Sequence, residues 1–482
     1  MLSSPSSEEA NGARLSPLTD LLPLLNCPVC RHPESQLTAG VGRLRCEQCG
    51  SPFPVFGHGD TPVPWLFDHA QNVLEEWQAR YAGFIDNNES EQTRLRSALD
   101  ESGLSRLSRE RLTSLLTARQ LHTRQIDELL EALIPGGLGQ PACPALTTTK
   151  IPQHQGLLSY YSNVFRDWAW NTDERQALFD CFAGLLPETT QSECRLLTLG
   201  AGAGWLPYQL HRAMAPRLSI ALDINPLLIA VATHVTQGDS VALYEFPLAP
   251  QSGASNAVMQ ECAAEAPLEG DFFWLLADAL NPPFAAQSFD MVFTPWLIDI
   301  LPEDLRYFLP RVNRLLPIGG SWLNTGTLAF FHASAASCYS EAELLELMES
   351  AGFRICDISR NQVPYLQSPW SGHGRTERVL SFRAEKVADV ADSPEFKLLP
   401  DWLVDTNLAV PDAVELGVQA SSHLFQSHVL GAIDGRRSIA EISRLLAQHY
   451  QLQPDHALTA VQRLLAKHHE DARTSAAWIE SI

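Results

Sequence analysis

The chain has 482 residues, 45% of them hydrophobic and 19% charged, with a formal charge of -22. Such a length exceeds one ordinary core and predicts about two to four domains, while the composition excludes a largely disordered chain. The acidic balance argues against nucleic-acid binding, which needs Lys and Arg clustered against phosphates. No apolar run reaches the roughly 18 residues of a membrane span.

The first segment, MLSSPSSEEANGARLS, has no basic start followed by an apolar run, so it does not read as a secretory signal. A cytoplasmic, reducing location is the expectation, with residues 1–20 a disordered leader. Residues 21–66 hold CPVC (Cys27, Cys30) and CEQC (Cys46, Cys49), separated by fifteen residues. Two such knuckles present four thiolates tetrahedrally and predict a zinc ribbon, with a redox pair as the alternative. Four protein ligands leave no open position, so the expected Zn2+ is structural. Only Arg31, Arg43 and Arg45 are basic nearby, which favours contact with a protein partner over nucleic acid. The remaining six cysteines are scattered, as isolated thiols rather than a disulfide framework.

Residues 67–150 read as a helical segment and linker. Leu115, Leu116, Ile126, Leu129, Leu130 and Leu133 recur at helical spacing among polar residues, Pro135, Gly136 and Gly137 stop the pattern, and the stretch from Gln140 to Gln153 is rich in Pro and Thr. Over residues 151–386 apolar strand-like runs alternate with helical patterns, which predicts an α/β domain with a largely parallel sheet. Residues 387–400 read as a second linker, and residues 401–482 as a helical or winged-helix unit.

Within the α/β domain, LLTLGAGAGWLPYQLHRAM predicts a buried strand, a turn through Gly200, Gly202 and Gly204, and a helix. Glycines suit a sharp turn that approaches a ligand closely. The next strand, LSIALDINP, ends in Asp223, about twenty residues on, where a carboxylate can accept hydrogen bonds from both ribose hydroxyls. The third glycine of the dinucleotide fingerprint would fall at Trp205 or Pro207, so NAD is disfavoured. FFWLLAD ends in Asp278, placed to meet an adenine amino group; FDMVFTPWLID and RLLPIGGSWLNTG follow as further strands. This succession resembles the Rossmann-like layout of class I methyltransferases, which implies S-adenosyl-L-methionine as methyl donor.

YYSNVFRDWAW, LGAGAGWLPYQL, YEFPLAPQSGASN, FDMVFTPWLID, GGSWLNTGTLAFFH and RTERVLSF together resemble the carnosine N-methyltransferase family, in family order. That resemblance implies that Arg166 and Trp168 fold over the cofactor and that Asp299 and His332 face the substrate, an imidazole-bearing small molecule or dipeptide. A carboxylate accepting the imidazole N–H leaves the opposite nitrogen free to attack a methyl group. Asp299 has a structural alternative, because it precedes PEDLRYFL and could cap a helix there; His332 could be an ordinary loop histidine. Before the terminal strand the family carries tyrosines that line the pocket, whereas this chain reads SGHGRTERVL; His373 and Arg375 then become candidate substrate contacts, and the acceptor can differ from carnosine. The C-terminal IDGRRSIAEISRLLAQHY and the apolar helix after it resemble the PqqD-like family, which binds leader peptides. This resemblance implies a second possibility, a peptide-modifying methyltransferase in natural-product biosynthesis. A scaffold without turnover is a third, which intact Gly200, Gly202, Asp223 and Asp299 disfavour.

Overall fold

Strands buried on both faces need unbroken apolar runs. The chain supplies them at LLTL, SIAL, FWLLA and MVFT, each almost wholly buried. The computed structural model describes residues 18–58, 61–134, 151–152, 154–187, 193–332, 334–411 and 414–473. The leader expected over 1–20 and the linker expected over 140–153 lie almost wholly outside them. The chain divides into two units, Met1–Leu399 and Pro400–Ile482.

The first unit begins with β1 (Leu37–Gly40), β2 (Arg43–Cys46), β3 (Pro52–His58) and β4 (Thr61–Leu66), followed by the helices α1 (Ala70–Leu99) and α2 (Arg106–Leu130). Next come α3 (Tyr161–Trp168), α4 (Asp173–Ala183), β5 (Arg195–Leu199), α5 (Trp205–Met214), β6 (Leu218–Asp223) and α6 (Pro226–Thr236). A hairpin of β7 (Val241–Glu245) and β8 (Val258–Cys262) precedes β9 (Phe272–Ala277), β10 (Met291–Pro295), α7 (Leu305–Leu315) and β11 (Ser321–Gly326). The unit closes with α8 (Glu341–Ser350), β12 (Phe353–Tyr365) and β13 (Arg375–Lys386).

Eleven strands form one sheet in the order β1-β2-β3-β4-β9-β6-β5-β10-β11-β13-β12. The pairs from β4 through β11 are parallel, and β13 and β12 close that side antiparallel. On the other side the cysteine-bearing segment is an antiparallel meander whose last strand pairs with β9, Trp65 opposite Leu276 and Leu66 opposite Ala277. A single hydrophobic cluster runs from Leu18 through Trp65 and Trp77 to Phe382 and Ala384. The α1–α2 pair joins it through Trp77, Tyr81, Ile126 and Leu129. Ser105 caps α2 by accepting from the Ser108 amide, and Asp304 caps α7 by accepting from that of Arg306.

Residues beyond β13 run without helix or strand to Leu399 but are held in place: Arg314 pairs with Asp392 at 3.2 Å and Arg31 with Glu395 at 3.2 Å. The second unit is helical among the described residues, with α9 (Asp401–Val404), α10 (Val414–Gly431), α11 (Ile439–Tyr450) and α12 (Pro454–Arg473). Ser438 and Glu441 form a reciprocal capping box at the start of α11. Val429, Ile442, Leu446 and Val461 make its core. No helix among the described residues is long and apolar enough to cross a membrane.

Helix α5 packs so closely on the sheet that a Cβ on Gly204 would lie 2.6 Å from Trp274 Cη2 and 2.9 Å from the Ala232 Cβ, at a φ of +97°. Gly204→Ala is therefore expected to cost about 3 kcal/mol, from overpacking and left-handed strain together. Gly202→Ala meets nothing within 4 Å and carries only the strain of a φ of +57°, about 1 kcal/mol. Denaturant unfolding of both variants measures the difference, and equal losses would refute the packing account.

Candidate functional site

Chain direction through the sheet reverses between β5 and β10: β6 and β9 lie to one side, β11 to the other. Such a switch point leaves a crevice beyond the C-terminal ends of the two strands, where α/β folds bind ligands. The Gly-rich turn leaves β5 into that crevice with φ of 69°, 57° and 97° at Gly200, Gly202 and Gly204. A Cβ on Gly200 would stand 2.9 Å from Leu297 Cδ1, so glycine lets the turn meet the β10 exit loop. At Gly202 the space is open, as a closely bound ligand requires. The Gly202 amide donates to Asp223 Oδ2 at 2.9 Å and the Asn225 amide to Oδ1 at 2.9 Å. Each carboxylate oxygen keeps a further lone pair with which to receive a ribose hydroxyl. Burial pushes this carboxyl up to about 6, against the lowering effect of the two amides. Asp278 follows β9 directly and accepts from the Leu280 amide at 2.8 Å and from Asn281 Nδ2 at 3.2 Å.

Helix α3 lies against the same turn. The Trp168 indole donates to the Ala203 carbonyl at 2.7 Å, and buried Asp167 accepts from the Trp205 amide at 3.4 Å, at the start of α5. A carboxylate there complements the positive end of the helix dipole. Arg166 Nε donates to the other oxygen of Asp167 at 2.7 Å, so residues 166–168 act as one strap across the Gly-rich turn. Asn225 Nδ2 donates to the carbonyls of Leu157 and Ser159, tying the approach to α3 to the loop that bears Asp223.

On the far side of the switch point, Asp299 is 4% exposed. Its Oδ2 accepts from the Thr327 hydroxyl and, at 3.2 Å, from the Ala329 amide, whereas its buried Oδ1 has no hydrogen-bond partner among the described residues. Burial raises its carboxyl above the ordinary range against those two donors, with the charge of Glu377 adding to the rise. The helix-cap alternative does not hold, because Asp304 caps α7 instead. His332 lies in the same loop as Ala329, partly exposed, with its ring stacked on Phe330 at 6.2 Å. His373 is exposed and its amide bonds the Ser371 hydroxyl. Among the described residues neither histidine is hydrogen-bonded to Asp299. Arg375 pairs with Glu377 at 2.8 Å and covers the ring of Tyr365 at 4.4 Å.

Sequence reasoning assigned no role to Trp296, Tyr365 or Glu377. Trp296 leaves β10 with a φ of +45° and donates from its indole to Glu377 Oε2 at 2.7 Å. Gly326 makes room for it, since a Cβ there would lie 3.1 Å from the Trp296 Cα. Tyr365, at the end of β12 and opposite Arg375, lies between Arg166 and Arg375 and 6.0 Å from Trp296. An aromatic residue at a strand end is no signal by itself; only the β12–β13 register brings it here.

The four Sγ atoms of Cys27, Cys30, Cys46 and Cys49 lie within 4.8 Å of one another, with Cys27–Cys49 at 3.7 Å and Cys30–Cys46 at 3.8 Å. A tetrahedral Zn2+ with Zn–S bonds of about 2.3 Å has S···S edges of about 3.8 Å, so the cluster fits that ion. Zinc held there would stabilise the meander that extends the sheet. Cys46→Ser is expected to lower both the bound zinc, by elemental analysis, and the melting temperature; full retention of zinc by the variant would remove the assignment.

A family model described as "Methyltransferase domain" matches residues 197–323, from β5 to β11. No protein of curated function matches the chain. A SAM-dependent methyltransferase from Methanosarcina mazei is 15% identical over 43% of this chain and 96% of its own, with a TM-score of 0.29. Phosphoethanolamine N-methyltransferase 2 of Haemonchus contortus, bound to S-adenosyl-L-methionine, is 14% identical over 55% of this chain and 60% of its own, with a TM-score of 0.31. At such scores these likenesses add nothing to the chain's own geometry. The matched model covers the Gly-rich turn, the acidic ends of β6 and β9 and the switch-point crevice: the chain carries a class I S-adenosylmethionine-dependent methyltransferase domain.

Proposed function

We propose that the chain transfers a methyl group from S-adenosylmethionine to a ring nitrogen of an imidazole-bearing small molecule or dipeptide. The observation that carries this reading is Asp299 Oδ1, a buried carboxylate oxygen without a partner among the described residues. Leaving such an acceptor unpaired is costly, and an imidazole N–H satisfies it. Thr327 and Ala329 hold the other oxygen and so fix the carboxylate plane.

The bound donor supplies an electrophilic methyl carbon on a sulfonium. Asp223 and the Gly-rich turn hold its nucleoside, and Arg166 and Trp168 close over it. Asp299 selects the tautomer whose N–H points at the carboxylate, which leaves a lone pair on the opposite nitrogen. That lone pair forms the new N–C bond while the C–S electrons pass to sulfur. The methylated ring is cationic until it loses the proton shared with Asp299, whose raised proton affinity favours that loss. No strong base is needed, and most of the acceleration comes from alignment.

The second unit supports a further reading, in which the acceptor histidine belongs to a peptide. Val418, Leu424, Ile433 and Leu445 are each about half exposed or more on this small helical unit, an apolar surface suited to a peptide segment.

A panel of histidine, carnosine, thiolated histidines and histidine peptides with labelled S-adenosylmethionine tests the acceptor class; methylation of none of them would overturn it. Asp299→Asn is expected to lower kcat about 100-fold with cofactor affinity unchanged, and loss of cofactor binding would refute the orienting role. Because ionised Asp223 accepts from both ribose hydroxyls whereas protonation turns one of its oxygens into a donor, cofactor affinity should be constant above neutrality and fall as pH drops through about 6. Asp223→Asn should bind more weakly at every pH and lose that dependence, as calorimetry across the range would show.

A further inference from the structure

We propose that His122 is an acid-sensitive latch on the strap that crosses the Gly-rich turn, closed while its imidazole is neutral and opened when that ring takes up a proton.

The surroundings of His122 are the first observation. The residue lies on α2, wholly buried, and neither Nδ1 nor Nε2 has a hydrogen-bond partner among the described residues. Three aromatic rings contact it: Phe84 of α1 at 5.7 Å, Tyr161 of α3 at 5.4 Å and Phe246, just after β7, at 5.4 Å. Phe84 and Phe246 meet it at interplanar angles of 88° and 74°, edge-to-face contacts that suit a neutral ring. Arg119, one turn earlier on α2, places its guanidinium 3.9 Å from the centre of the Phe246 ring. On α1, Tyr81 stacks beside Phe84 and bonds Asp127 through its hydroxyl. On α3, the Tyr161 hydroxyl donates to the Tyr244 carbonyl at 3.1 Å. Next to Phe246, Glu245 accepts from Trp170, Gln260 and Ser368. Among the described residues His122 therefore has no carboxylate partner.

A proton on this ring would leave a charge buried, unpaired and near another cation, and the attraction of the aromatic faces for it is weaker than that cost. Burial first, and Arg119 second, hold the imidazole down to about 3 from its ordinary 6.5. The proton enters when the ring reaches water, so opening becomes more favourable as pH falls below 6.5, by at most about tenfold per unit. What opens is set by the contact with Tyr161, the first residue of α3. Its ring packs on Phe165 at 5.0 Å, and Arg166, Asp167 and Trp168 follow directly to hold the turn. Local openings cost less than global unfolding, and acid thus loosens the strap while the sheet stays folded.

The test uses the full chain and two variants that take up no proton at this position, His122→Leu and His122→Phe. Hydrogen exchange at residues 161–168, corrected for the intrinsic pH dependence, is followed from about pH 7.5 to about pH 5. Wild-type protection is expected to fall by up to about tenfold per unit below 6.5, while a variant keeps constant protection. Affinity for S-adenosylhomocysteine is the second readout. Titration of Asp223 weakens binding in all three proteins, so the ratio of wild-type to variant affinity isolates the latch, and it should fall several-fold across the range. Either variant that folds suffices. Wild-type protection that stays constant to pH 5, the same fall in a variant, or a constant affinity ratio overturns the proposal. None of these outcomes depends on which molecule accepts the methyl group.

Discussion

The indole of Trp274 fills the space that a side chain on Gly204 would need, and this contact sets how closely α5 approaches the sheet. Its Nε1 donates to the Thr236 hydroxyl at 3.2 Å, so the same side chain also locates the end of α6. With α5 seated at that depth, its first amide meets Asp167 and the Gly-rich turn lies open at Gly202. The turn in turn ties the rest together: it bonds the Asp223 carboxylate through Gly202 and the α3 strap through Ala203 and Trp205. A packed interior transmits such constraints because its side chains have few alternative positions.

The acceptor side is built differently. It draws on three separate excursions from the sheet: the exit of β10, the loop after β11 and the β12–β13 hairpin. Hydrogen bonds between side chains join them, Thr327 to Asp299 and Trp296 to Glu377. The hairpin is in turn fixed by Glu174 of α4, which accepts from the Leu366 and Gln367 amides at 2.8 and 3.0 Å. The Gly-rich side is thus held by one continuous turn and the Asp299 side by several loops, and loops tolerate change that a buried strand does not.

The cysteine cluster belongs to the same sheet as the catalytic strands. Strand β4 pairs with β9, whose end bears Asp278, and Asn26 and Ala285 exchange backbone hydrogen bonds with Pro283 and Leu24 across the boundary. Four thiolates on one ion would therefore brace an edge of the sheet that a segment of this length could not stabilise alone.

Much of the Gly-rich turn and its surroundings was legible in the chain itself. Strand runs, glycines, the acidic residue ending the next strand and the paired cysteines are local signals, each imposed by backbone geometry or ligand spacing over a few residues. Asp299 was legible only as one of two possibilities, and the packing removed one of them: Asp304 took the helix cap, and Asp299 Oδ1 is buried without a partner among the described residues. Trp296, Tyr365 and Glu377 carried no local signal, because their meeting depends on strand register and on contacts between residues far apart in the chain. The sequence by itself determined the strands, the turn and the thiolate knuckles, since these obey short-range rules of period and conformation. Only the tertiary structure decided that the knuckles join the catalytic sheet and which side chains surround Asp299, because pairing and burial are properties of whatever the rest of the chain packs against them.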